Sequence, residues 1–82
     1  MDAVLKQTQH EFRLRFYEVY EKYKTKQSLE GLDADELRIL IAGECWMDGA
    51  DWNVAMELKT SDLYSDTRIA RNYLVDAFDY KD

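Results

Sequence analysis

Leu32-Asp33-Ala34-Asp35-Glu36-Leu37 reads as the opening of a helix. Asp33 stands where an N-cap carboxylate can accept from the backbone N–H three residues on. Glu36 stands where its own side chain can reach back to the N–H of Asp33, which completes a capping box. Leu32 and Leu37 occupy the two places of a hydrophobic staple, and Asp35 and Glu36 suit the positive start of a helix dipole. The spacing predicts a helix from Ala34 to about Met47 that buries Leu37, Leu40, Ile41 and Cys45. Gly43 falls inside it at a cost of about 1 kcal/mol relative to Ala, which a close helix crossing would justify.

Upstream, Leu5, Phe12, Phe16, Val19 and Tyr23 recur at spacings of three, four and seven, and Tyr20 widens the stripe. That is one face of a helix from about Ala3 to Lys26. At 1.5 Å per residue it is about 35 Å long, longer than a domain this small needs. Part of its apolar face is therefore expected to pass beyond its own core and call for another chain. Gln27 to Leu32 is the connector, with Gly31 as a stop signal.

Downstream, Asp48-Gly49-Ala50-Asp51 is a tight turn in which Gly49 suits the left-handed position after a helix. Asp51 is expected to cap a third helix from Trp52 to about Lys59, with Trp52, Ala55, Met56 and Leu63 on its apolar side. Thr60 to Asp66 is polar enough for a turn. Ser65 or Asp66 can cap a last helix reaching about Phe78, with Ile69, Tyr73 and Ala77 on one face and Ala70, Leu74 and Phe78 beside them. Asp79 to Asp82 is expected to fray.

These segments sit in 82 residues with no proline and three glycines, a composition that suits helices better than a turn-rich β fold. Residues 1–82 are expected to form a single all-α domain, a compact bundle of about four helices with a long first helix. The balance of 46% apolar and 34% charged residues is globular, and eleven aromatic rings supply large buried areas. No run of about 18–20 apolar residues crosses a bilayer, no signal-peptide pattern opens the chain, and the lone Cys45 suits a reducing compartment. A cytoplasmic location is the expectation.

The net charge of −6 is unevenly placed. Residues 1–26 hold six basic and four acidic side chains, residues 27–66 two basic and ten acidic, and residues 67–82 three of each. Two surfaces of opposite sign follow. The first helix interleaves Arg13, Arg15, Lys22 and Lys24 with Tyr17 and Tyr20, a mixture that can stack on single-stranded nucleic acid or meet an acidic partner. Glu18 and Lys22 make a helix-stabilising i,i+4 pair there. The acidic centre offers Glu44, Asp48, Asp51 and Glu57 beside Trp46 and Trp52, which flank the turn. Carboxylates on one surface can imitate a phosphate backbone, although capping and solubility alone account for many of them.

Other chemistries find little footing. Helices 34–47 and 52–59 have the outline of a helix-turn-helix, but the second begins Asp51-Trp52-Asn53 and carries Glu57, which would repel phosphate. Glu44, Asp48 and Asp51 match no calcium-loop pattern. With one His and one Cys, zinc lacks ligands, and neither metal nor cofactor is expected. His10 and Cys45 would have to meet across two helices to act as a catalytic pair, and no Gly-rich phosphate loop is present. The expectation is a non-catalytic regulator or inhibitor that docks on a partner protein and forms a homodimer. One alternative is a nucleic-acid accessory factor using the first helix; another is a DNA mimic using the acidic centre. By association only, small acidic helical chains of this kind are often phage-encoded, with host defence, transcription or lysis control as targets.

Overall fold

The computed structural model describes residues 2–82. Among them, four α-helices follow in order: α1 (Asp2–Lys26), α2 (Ala34–Met47), α3 (Trp52–Lys59) and α4 (Thr67–Phe78), with one 3-10 turn at Leu63–Ser65 between the last two. The all-α bundle with a long first helix is what the patterning predicts. α1 sets the longest dimension, 39 Å against 25 and 20 Å for the others.

α2 is the hub, packed against α1, α3, α4 and the 3-10 turn. Its opening is the predicted one. Asp33 Oδ1 accepts from Glu36 N at 2.8 Å, and Glu36 Oε1 accepts from Asp33 N at 3.1 Å. Leu32 and Leu37 are both buried, as are Ile39, Leu40, Ile41, Ala42 and Gly43. The helix is covered nearly all round, whereas its pattern suggested one buried stripe; Cys45 is only half-buried.

Gly43 lies where α1 crosses closest. A Cβ built there would come within 2.1 Å of Phe16 Cδ1, so only glycine lets the ring rest on the α2 backbone. α2 ends in a Schellman motif. Ala50 N donates to Cys45 O at 2.9 Å and Gly49 N to Trp46 O at 3.1 Å, with Gly49 at φ 107°. α1 ends the same way, but without a glycine. Gln27 holds the left-handed place at φ 53°, and Ser28 N reaches back to Tyr23 O. Gly31, the predicted stop, belongs to the following turn.

Several local expectations need correction. Asp51 stands at the N-cap of α3 but makes no side-chain cap bond, whereas Asp66 caps α4 by accepting from Arg68 N and Ile69 N. α4 buries Ala70 and Leu74, while Ile69 and Ala77 face outward, because α2 meets the helix on its 70–74 edge. Leu63 is exposed and Leu29, in the connector, is fully buried. Asp79–Asp82 does not fray. Asp79 turns the chain through a left-handed residue (φ 60°), and Tyr80 enters the core at 5% exposure.

Candidate interaction surfaces

Part of each charged surface read from the sequence lies along one seam between α1 and α2, where Arg13, Tyr17 and Tyr20 of α1 meet Glu44, Trp46 and Met47 of α2. Arg13, Tyr17, Tyr20 and Lys24 are spaced four, three and four, which places them on one side of α1. The Arg13 guanidinium lies over the Trp46 ring, 4.9 Å from its centroid, and the Lys24 ammonium lies 5.9 Å from the centre of Tyr20. Such cation–π contacts are worth about 0.5–1 kcal/mol at exposed sites. Tyr17 and Met47, each 48% exposed, border a shallow groove with Phe16, Tyr20 and Glu44.

Arg15 and Lys22 belong to another side of α1, and both are engaged. Arg15 pairs with Glu18 at 2.6 Å, and Lys22 reaches across to Glu36 on α2 at 2.5 Å. The expected Glu18–Lys22 pair is not formed. Glu36, buried at 6% exposure, spends one carboxylate oxygen on its capping box and the other on Lys22, so the α2 cap also ties α2 to α1.

Trp46 and Trp52 are half-buried rather than free anchors. Their rings lie 4.7 Å apart, edge to face, and Phe12 of α1 packs on both at 6.0 and 5.5 Å. Burying these rings against one another joins α1, α2 and α3 at one corner.

The acidic centre divides in the same way. Glu44 accepts a hydrogen bond from the Tyr80 hydroxyl. Burial, and then this contact with a carboxylate, push the Tyr80 phenol far above its ordinary value. Asp33 and Asp66 are caps, and Asp35 lies 3.8 Å from Arg38. Asp48, Asp51 and Glu57 stay exposed and enter no ion pair among the described residues. Glu57 borders a hollow with Val54, Leu58, Thr60 and Ser61.

Among the described residues, no group of three or more His, Cys, Asp or Glu side chains converges to hold a metal ion. Cys45 Sγ lies 3.5 Å from the Tyr73 hydroxyl, and His10 is exposed. The bond to Cys45, with burial adding to it, pushes Tyr73 up to about 12.

Sequence reasoning missed the role of the segment after α4. Lys81 N donates to the Tyr23 hydroxyl at 2.8 Å, and Leu29 N donates to Lys81 O at 2.8 Å. Tyr80 packs 4.5 Å from Tyr23 and 6.2 Å from Tyr20. The only local signal was an aromatic residue among charges.

No family model, curated protein or solved structure matches the chain. No helix among the described residues is long and apolar enough to cross a membrane.

Proposed function

We propose that this chain is a non-catalytic regulator that docks on a partner protein through the start of α1 and the α1–α2 seam. The observation that carries this reading is the overhang of α1. Leu5 continues the stripe of Phe12, Phe16 and Val19, yet it is 45% exposed, because α2 to α4 end short of it. Val4 beside it is 72% exposed, and Leu14, Tyr17 and Met47 add apolar surface on α1 and along the seam. Val4 and Leu5 make one patch at the start of α1, and Tyr17, one turn from Leu14, makes a second with Met47 at the seam; exposed apolar patches mark docking surfaces more often than isolated side chains do.

A homodimer fits the same surface, with the mildly basic side of α1 facing the exposed Asp48, Asp51 and Glu57 of a second copy. Those three unpaired carboxylates also support the mimic as a second reading. The nucleic-acid reading draws less support, because Arg15 and Lys22 are spent on Glu18 and Glu36 and lie apart from Arg13 and Lys24. Host defence, transcription and lysis proteins stand as target classes, in a cytoplasmic setting.

Two measurements test the proposal. Affinity capture from source-cell lysate with the native chain and with a Leu5→Asp/Tyr17→Asp chain of unchanged circular dichroism should retain a protein only on the native bait; identical capture overturns the docking surface. Light scattering across the micromolar range should show mass rising toward a dimer, and a strict monomer removes the self-association.

A further inference from the structure

The open groove on the α1–α2 seam has a volume of about 230 Å³ and is lined by Phe16, Tyr17, Tyr20, Glu44 and Met47. Three aromatic rings and a thioether make its walls. Phe16 and Tyr20 are nearly parallel, with centroids 6.1 Å apart, and Tyr17 is tilted by 52° against Phe16. Glu44 is the charged residue among the five. It is half-buried, and its Oε2 accepts from the Tyr80 hydroxyl. Its Oε1 has no hydrogen-bond or ion-pair partner among the described residues, and it is open to solvent. Ring faces carry the negative side of the aromatic quadrupole, and the carboxylate adds a full charge. Such a lining calls for a cation. The chain itself sets cations against rings on both flanks, Arg13 over Trp46 and Lys24 over Tyr20.

We infer that this groove receives an arginine side chain of the partner protein, its flat face on the Tyr17 and Tyr20 rings and an N–H on Glu44 Oε1. The inference rests on the docking reading of the seam and names what that seam selects. A guanidinium is planar and weakly hydrated, so it can stack on rings while it donates to a carboxylate. A lysine ammonium is compact and strongly hydrated and gives up more on entering an apolar groove. Arg13 and Lys24 refine the choice. They stand one turn before Tyr17 and one turn after Tyr20, eleven residues apart, which is about 16 Å along the helix. There they repel a second cation and favour carboxylates. An extended segment advances about 3.3 Å per residue, so its acidic residues belong two or three positions to either side of the arginine.

The test titrates short peptides into the full native chain and follows the Met47 methyl signal by NMR. The reference peptide carries one arginine with an aspartate two residues to each side. It should move the Met47 signal to saturation and leave that of Met56 in place. A dissociation constant of roughly millimolar order is expected for one side chain in a shallow groove. Lysine in place of the arginine should weaken binding about threefold or more, and alanine should abolish it. In the chain, Glu44→Gln keeps an acceptor for Tyr80 but should weaken the arginine peptide about tenfold, the loss of a charge-assisted hydrogen bond. Tyr17→Leu, at a half-exposed position, should weaken it about threefold. No saturable shift in the native chain, equal binding of the arginine and alanine peptides, or equal binding to a folded Glu44→Gln chain overturns the inference. Should Glu44→Gln not fold, Tyr17→Leu decides in its place, and unchanged affinity there overturns it. A lysate protein held equally by native and Glu44→Gln baits also overturns it, while the docking surface stands. A native dimer that Glu44→Gln dissociates, with no peptide binding, overturns it in favour of a second copy.

Discussion

Phe16 of α1 rests on the bare backbone of Gly43 in α2, 2.1 Å from where a Cβ would stand. Gly43→Ala therefore gains about 1 kcal/mol of helix propensity and loses more to overpacking, which typically costs about 1–3 kcal/mol and here meets a buried ring. We expect a net loss of about 2 kcal/mol in urea unfolding. In a Phe16→Ala background the same change should be neutral or stabilising. A double-mutant cycle measures this, since touching residues are not additive.

The three aspartates at helix starts should separate cleanly. Asp33 and Asp66 accept backbone N–H bonds, and each replaced by Ala should cost about 1 kcal/mol. Asp51 makes no such bond, so Asp51→Ala should stay within about 0.5 kcal/mol of the native chain. Urea midpoints at neutral pH compare the three directly.

Gln27 holds a left-handed conformation at the end of α1, which disfavours a residue with a Cβ by roughly 1 kcal/mol. Gln27→Gly should raise stability by about 0.5–1 kcal/mol, after allowing for the greater freedom of glycine in the unfolded chain. Gln27→Ala should give no such gain. Thermal unfolding of the pair separates conformational strain from side-chain loss.

Alkaline pH should weaken the fold through two phenols. Tyr73 is raised from 10.0 to about 12, and Tyr80 is raised further. Between those values the folded chain keeps protons that the unfolded chain has released. Their contribution is complete below pH 10 and declines as pH rises toward 12. Tyr73→Phe and Tyr80→Phe chains should lose less of their urea midpoint across that window than the native chain does.

Helix positions and local devices were legible in the sequence because they depend on neighbours a few residues apart. The Asp33–Glu36 box, the Gly49 turn and the close crossing at Gly43 all followed from short-range pattern. The partners of Tyr80, Lys22 and Arg38 were not legible. Tyr80 meets Glu44 from 36 residues away, and Arg38 finds Ser65 from 27. Charged side chains read as solvated when only their own helix is in view. The basic face of α1 was overestimated for that reason, since Lys22 has a more distant partner in Glu36. The Arg13–Tyr17–Tyr20–Lys24 side was within reach, because its spacing is helical. What it lacked was Trp46 and Met47 from α2 to turn a stripe into a seam.

The arrangement of three helices around α2 also has a kinetic meaning. α1, α3 and α4 pack chiefly on that one element, so productive nucleation has to include it. Truncating Leu37, Leu40 or Ile41 should slow refolding, whereas truncating Ala70 or Leu74 should mainly hasten unfolding. A chain of this size organised on one helix should refold in a single exponential phase, which stopped-flow fluorescence of Trp46 and Trp52 measures.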